Sequence, residues 1–317
     1  MTKLSFIIPC YGSELTIKDV VNEIIQTVKL KIEYSYEILL VNDCSPDKVY
    51  NVIMQLAKEN PYIKGINLSK NFGQHSALMT GFNYATGDII LCLDDDGQTP
   101  AEEMFKIIDK VNEGYDIVFA KYEHKKHNSF RNIGSKVNDL MAQHLIGKPK
   151  GLALTSYFAC KRFVIDEMIK YKNSYPYIAG LLLRTSNNII NVPVNHKERI
   201  SGKSGYSLGK LLFLWLNGFT SFSVKPLRIA TFIGVICALL GFFYGAYTII
   251  NKIINPAIPV GYSSLMSAVI FIGGILMLML GMLGEYVGRL YISINNSPQY
   301  VVRETINVND KQVDKHE

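Results

Sequence analysis

Two uncharged apolar runs near the C-terminus constrain this chain more than any other feature. Ile229–Ile250 and Ser264–Gly284 contain no Asp, Glu, Lys, Arg or His. Each meets the roughly 20 residues that a helix needs to cross hydrocarbon. The loop between them, Asn251–Ser263, has two prolines and a single cation, Lys252. Lys225 and Arg228 precede the first run, and Arg289 and Arg303 follow the second. The positive-inside rule therefore predicts a hairpin with both ends in the cytosol. Just upstream, Leu208–Phe222 gathers Leu211, Leu212, Phe213, Leu214, Leu216 and Phe219 around Trp215. It reads as an interfacial helix lying on a bilayer, with a buried core helix as the alternative.

Charged residues make up 19% of the 317, and mean hydropathy is +0.13, more apolar than an ordinary soluble chain. That excess sits at the C-terminal end, so a soluble domain joined to a membrane segment is expected. The net charge of +6 is mild and gives little support for nucleic-acid binding, which ordinarily shows a clustered basic face, so no nucleic-acid partner is expected. Five cysteines without a CxxC read as reduced, cytosol-facing thiols. Met1-Thr2-Lys3 leads straight into a short strand, Leu4 to Pro9, too brief for the apolar core of a signal peptide.

Residues 1–120 alternate between two periods. Strands are predicted at Leu4–Ile8, Tyr36–Val41, Ile63–Leu68, Ile89–Leu93 and Asp116–Ala120. Ile17, Val20, Val21, Ile24, Ile25 and Val28 form a helical stripe. Further helices are predicted over about 47–59, His75–Tyr84 and about 101–113. Repeated β-α units imply an α/β fold with a mostly parallel, doubly wound sheet and helices on both faces. Polar residues collect at three strand C-termini: Pro9–Glu14, Asn42–Asp47 and Asp94–Gln98. Open α/β sheets bind ligands at that edge. At the third, the apolar run ends abruptly in three carboxylates, which cannot stay unpaired in a core without costing several kcal/mol. Strand alternation aims Asp94 and Asp96 one way and Asp95 the other. The outer pair is a hard oxygen site suited to Mg²⁺ or Mn²⁺. A solvated acidic turn capping the helix near Pro100 is the alternative.

The stretches IIPCYGSE, VNDCSPD, LSKNFGQHSALMTGFNYATGDIILCLDDDGQTP and RISGKSGYSLGKLL, with the apolar hairpin, resemble the family 2 glycosyltransferases of GT-A fold. Within them the chain looks most like the polyprenyl-phosphate glycosyltransferases of the dolichyl-phosphate mannose synthase kind. The resemblance covers nearly the whole chain. It implies inverting transfer of one sugar from a nucleotide-diphosphate sugar, a UDP-sugar, to undecaprenyl phosphate. It implies a homo-oligomer, a tetramer, in a bacterial inner membrane. It places Pro9, Tyr11 and Glu14 beside the nucleobase and ribose, and Asp43 against the uracil side. Lys70, Asp94, Asp95 and Gln98 complete the nucleotide site, with Asp94 and Asp96 as metal ligands. Arg199, Lys203, Ser204 and Tyr206 would take the acceptor phosphate, Arg199 and Lys203 as catalytic cations. On this reading residues 1–205 are catalytic, 206–227 interfacial, 228–290 the hairpin and 291–317 a cytosolic tail, disordered after about 303.

Relatives often carry an acid, sometimes proposed as the base, where this chain has Ser156-Tyr157-Phe158-Ala159. A phosphate monoester has a second pKa near 6, so a lipid phosphate can attack without losing a proton to the protein. His124, His127 and His144 read as surface residues. One rival is a processive polysaccharide synthase, which needs further spans and a Q-x-x-R-W motif. Trp215 here follows Leu211-Leu212-Phe213-Leu214. Another is a non-catalytic scaffold or nucleotide-sugar sensor, which the intact Asp94/Asp96 pair opposes.

Overall fold

The computed structural model describes residues 1–122, 143, 147–195, 225–255, 261–295 and 297–308. The chain divides into two compact units, Met1–Gly218 with Asn296–Glu317, and Phe219–Asn295. In the first unit the order is β1 (Thr2–Cys10), α1 (Ile17–Val28), β2 (Tyr34–Asn42), α2 (Val49–Glu59), β3 (Ile63–Leu68), α3 (Gln74–Tyr84), β4 (Ile89–Cys92) and, after a 3₁₀ turn, α4 (Met104–Asn112). Then follow β5 (Ile117–Tyr122), β6 (Phe158–Lys161), α5 (Arg162–Met168), α6 (Ile178–Thr185) and β7 (Ile189–Val194). The second unit holds α7 (Lys225–Ile254) and α8 (Tyr262–Ile294), after which the chain returns to the first as β8 (Val302–Ile306).

Eight strands form one sheet in the order β7-β5-β6-β4-β1-β2-β3-β8. The central strands pair in parallel, β4 with β1, β1 with β2 and β2 with β3. From Leu4 to Cys10 every residue of β1 is buried, as expected of a strand covered on both faces. The α1 stripe packs into that core through Ile17, Val20, Val21 and Ile24. Helix α3 shows no such stripe because Ser76 to Phe82 are all buried. Its Gly81 is required by close approach: a Cβ there would stand 2.3 Å from Ile7 Cγ2 of β1.

Two strands depart from the parallel expectation. The Leu152–Cys160 segment ends in β6, which runs antiparallel between β4 and β5. It starts at the sheet's C-terminal edge and runs opposite to both strands that it joins. Val302–Ile306, expected to fall at the start of a disordered tail, is instead an antiparallel edge strand on β3. Ser69 N–H donates to Val301 O (2.9 Å) before it. Just after it Asn307, at φ +58°, donates from Nδ2 to Ala57 O (2.6 Å) and Ile63 O (2.9 Å). The sequence around Val192 also reads as a strand, over Val192–Arg199, and the strand in the structure is Ile189–Val194, paired in parallel with β5. Helix α6 had no counterpart in the periodicity. The sequence also predicts a helix over Ser129–Ile146; apart from Gln143 its residues lie outside the described ones, as does most of the interfacial helix.

In the second unit, α7 and α8 contain the two uncharged runs and extend beyond each. Phe232, Phe242, Phe271 and Met277 are exposed along them. Among the described residues one helix is long and apolar enough to cross a membrane, over Phe271–Gly288, and Gly234–Tyr247 is a shorter apolar stretch.

At the N-terminal edge of the sheet, Glu37 of β2 is 2% exposed. Its carboxylate accepts from Lys3 Nζ (3.0 Å), Ser5 Oγ (2.6 Å), Thr86 N–H (2.6 Å) and Thr86 Oγ1 (2.9 Å), and pairs with Lys64 Nζ at 2.8 Å. A buried carboxylate with this many donors stays ionised.

Candidate active site

Three loops at the C-terminal edge of β1, β2 and β4 are tied into one surface. Asp95 Oδ2 accepts from Tyr11 N–H at 2.9 Å, and Asp95 O accepts from Thr16 Oγ1 at 2.6 Å, joining the β4 loop to the β1 loop. Gly12 N–H donates to Ser45 Oγ (2.8 Å), and Glu14 N–H to Asp47 Oδ2 (2.9 Å), joining β1 to β2. In return Glu14 Oε2 accepts from Lys48 N–H at 3.2 Å, just before α2. Asp43 is buried and accepts from Phe72 N–H (2.7 Å) and Gly73 N–H (2.8 Å), which bends the β3–α3 loop inward. Gly73 makes that bend at φ +89°, a region where a side chain would be strained. Pro9, Tyr11, Glu14, Asp43, Lys70, Asp94, Asp95, Asp96 and Gln98 all lie in these loops or strand ends. The Tyr11 ring is exposed, and Lys70 Nζ stands 4.9 Å from the centre of the Phe72 ring.

The three consecutive carboxylates follow β4, which ends at Cys92, and they take different hydrogen-bond partners. Asp95 turns back into the loops, where burial, with a contribution from the Asp94 charge, pushes it up to about 6 against the hydrogen bond from Tyr11 N–H. Asp94 Oδ1 accepts from Gln74 Nε2 at 3.2 Å, and its Oδ2 accepts from the Ser156 hydroxyl. Asp96 Oδ1 accepts from Gln98 N–H at 3.0 Å. Tyr122, at the end of β5, faces both: burial and then the charges of Asp94 and Asp96 push its hydroxyl up to about 12.

Ser156 reaches Asp94 because β6 enters backwards. Ala120 N–H donates to Tyr157 O (2.9 Å), and Thr155 Oγ1 donates to Ala120 O (2.9 Å), so the segment before β6 is fixed along the end of β5. At the far side Asn195 donates to Glu103 from N–H (2.9 Å) and Nδ2 (2.7 Å), just past the carboxylate loop. Arg199, Lys203, Ser204 and Tyr206 follow Asn195 and lie outside the described residues, as do His124, His127 and His144. Gln74 and Tyr122 were not foreseen. Tyr122 could have been found by the same strand-end rule that found Asp94, had β5 been read two residues longer.

Among the described residues no group of three or more His, Cys, Asp or Glu could hold a metal ion. Two carboxylates nonetheless fit Mg²⁺ or Mn²⁺, which keep waters and substrate phosphate oxygens in the rest of their shell. Both are already oriented by donors, as metal-binding carboxylates ordinarily are.

A mostly parallel eight-stranded sheet with helices on both faces and carboxylates past its C-terminal edge is the architecture of the GT-A fold. The profile described as glycosyl transferase family 2 matches residues 5–169, and the one described as GtrB C-terminal hairpin matches residues 225–290. The chain is 31% identical over 311 residues to the undecaprenyl-phosphate 4-deoxy-4-formamido-L-arabinose transferase of Proteus mirabilis strain HI4320, covering 97% of this chain and 95% of that one. This protein belongs to glycosyltransferase family 2 and carries the GtrB-type hairpin. Its fold is shared with glucosyl-3-phosphoglycerate synthase of Mycobacterium tuberculosis. The complex of that enzyme with Mn²⁺, UDP and phosphoglyceric acid matches with a TM-score of 0.53 at 17% identity, over 69% of this chain and 76% of that one. Its complex with Mn²⁺, UDP-glucose and phosphoglyceric acid matches with 0.52 at 15%, over 70% and 78%.

Proposed function

We propose that this glycosyltransferase moves one sugar from a UDP-sugar to undecaprenyl phosphate, with inversion, at the cytosolic face of a bacterial inner membrane. The observation that carries the reading is one chain that joins the Asp94/Asp96 edge to a GtrB-type hairpin and is collinear with an undecaprenyl-phosphate sugar transferase over nearly its full length. The loops at Tyr11, Glu14 and Asp43 form the nucleotide side. Asp94 and Asp96 would hold Mg²⁺ or Mn²⁺, which offsets charge on a departing diphosphate. Ser156 and Gln74 keep Asp94 turned toward that position.

No side-chain base is needed. The acceptor phosphate is largely dianionic at neutral pH and attacks the anomeric carbon directly, while the carbon–oxygen bond to the nucleoside diphosphate breaks. The enzyme's work is positioning and charge balance. Arg199 and Lys203 are suited to the attacking phosphate. Arg199 stands four residues past Asn195, within about 14 Å of extended chain.

The test is the purified protein with undecaprenyl phosphate and a panel of UDP-sugars, with Mn²⁺, Mg²⁺ or EDTA. Mass spectrometry should show a lipid phosphate carrying one sugar, and EDTA should abolish it. Polymer, or nucleotide release independent of the lipid, would refute the reading.

Connectivity supports the orientation. The chain leaves the first unit before the hairpin and rejoins it as β8, which agrees with both ends lying on one side, and the positive-inside pattern assigns that side to the cytosol. In a background lacking the native cysteines, Cys introduced at Gly261 should react with an impermeant thiol reagent on intact cells. Cys at Val301 should react only after lysis. The opposite pattern would invert the topology.

A further inference from the structure

Asn42, Asn67 and Glu304 stand side by side on β2, β3 and β8, where Asn42 pairs with Asn67 and Asn67 with Glu304 in the strand register. Asn42 is 4% exposed and Asn67 8%. Asn67 Nδ2 donates to Glu304 Oε1 at 2.9 Å, and Asn42 Nδ2 donates to Asn67 Oδ1 at 2.8 Å. Asn42 Oδ1 then accepts from Ser45 N–H at 3.1 Å. Three side chains from three strands thus form one directed line of hydrogen bonds into the Asn42–Asp47 loop.

The direction is forced from both ends. A carboxylate only accepts, so Asn67 must turn its amide nitrogen toward Glu304 and its oxygen toward Asn42. Asn42 must then offer its nitrogen to Asn67, which leaves its oxygen for Ser45. The Ser45 N–H, which only donates, demands the same orientation. Between them sits Cys44 at φ +50°, a strained conformation that a non-glycine residue keeps only when its surroundings hold it. Ser45 in turn donates from Oγ to Asp47 Oδ1 (2.6 Å) and accepts from Gly12 N–H. The line therefore ends on the residues that join the β1 and β2 loops.

We propose that Glu304 is a positioning residue for the nucleotide: it sets the direction of this line and so holds the Asn42–Asp47 loop in its donor-binding shape. This rests on the reading that the loop borders the donor nucleotide. It makes the segment after the membrane hairpin a contributor to donor affinity, although it is remote in sequence from the loop it orders. It also makes Asn at position 42 a requirement. A carboxylate there could accept from Ser45 but not donate to Asn67. Reversing Asn67 to supply that carboxylate with a donor would set the Asn67 oxygen against Glu304. Replacing Glu304 by Gln lifts that conflict, because a Gln nitrogen can donate to the reversed Asn67.

The experiment measures calorimetric binding of UDP with Mn²⁺ to the full-length protein. Asn42→Asp should weaken UDP by about tenfold or more, and the double variant Asn42→Asp/Glu304→Gln should recover to within about threefold of wild type. Glu304→Ala should weaken UDP by about threefold to tenfold, whereas Glu304→Gln, which keeps the acceptor oxygen, should stay near wild type. Strand β8 remains anchored by Val301 and Asn307, so the Glu304 variants keep their fold. KM for the nucleotide sugar should follow these affinities while KM for the lipid phosphate does not. Equal UDP affinity for Asn42→Asp with and without Glu304→Gln, or wild-type affinity in Glu304→Ala, would overturn the proposal. Asp43→Ala separates the two readings: if it leaves UDP binding unchanged, or wild type binds no UDP, the nucleotide site itself is misread and the proposal falls with it.

Discussion

Asn in place of Asp94 or Asp96 is expected to lower kcat/KM for sugar transfer by at least about 10²-fold, or ~3 kcal/mol of transition-state stabilisation. On the proposed reading both carboxylates would hold the metal, and each variant would lose one anionic oxygen toward it. Asp95→Asn should cost far less. Asp95 accepts from Tyr11 N–H with one oxygen, and an Asn oxygen can do the same. Ser156→Ala should fall between, at about tenfold, because it removes one donor to an ionised Asp94 and leaves the ligand in place. The pH profile of Ser156→Ala should keep its shape, with an acid limb that follows lipid-phosphate ionisation near pH 6. Steady-state kinetics of the four variants, with Mn²⁺ titrated in each, checks the order. Near-wild-type turnover in both outer variants would remove the metal site. A Ser156→Ala enzyme as inactive as Asp94→Asn would point to a role for Ser156 beyond orienting Asp94.

The second large effect is on stability. Burial alone would raise the Glu37 carboxyl, but the hydrogen bonds from Lys64, Ser5 and Thr86 outweigh it and lower it from 4.5 to about 2. A carboxyl depressed on folding stabilises the fold above its unfolded pKa, and that stabilisation is lost as pH falls through the folded value. Glu37 should therefore contribute about 3 kcal/mol at neutral pH, lost between about pH 4.5 and 2. Lys64, 13% exposed, is the largest favourable cause, followed by Ser5, whereas the pairing with the 35%-exposed Lys3 is largely screened. Glu37→Gln should unfold at lower denaturant at pH 7, and its deficit should shrink steadily toward pH 2. An equal deficit at both ends of that range would mean that the charge is not what Glu37 contributes.

Much of the site was legible because its residues follow strands. A run such as Ile89–Leu93 must be buried, and three acids after it must lie at the strand's edge. Right-handed crossovers put the loops at Tyr11, Asp43 and Asp94 on that same edge. The two-residue period of a strand suggested a division of Asp94, Asp95 and Asp96, but β4 ends at Cys92 and their partners come from the loops. The orientation of Asp94 was not legible, since Gln74 and Ser156 are separated from it by 20 and 62 residues.

The chain's local periodicities and charge breaks determined by themselves the α/β alternation, the apolar hairpin and the strand ends that carry the site. These features need only neighbouring residues and the free-energy cost of burying charge. Tertiary structure alone decided that β6 runs backwards to bring Ser156 onto Asp94, and that Glu37 lies between Lys3 and Lys64. It alone decided that Val302–Ile306 closes the edge of β3 and brings Glu304 to Asn67. Val302–Ile306 is polar and short, and nothing in its own pattern distinguishes an edge strand from a solvated tail. What makes it a strand is the unpaired backbone of β3 and the anchors at Ser69, Ala57 and Ile63, which exist only once the sheet has formed.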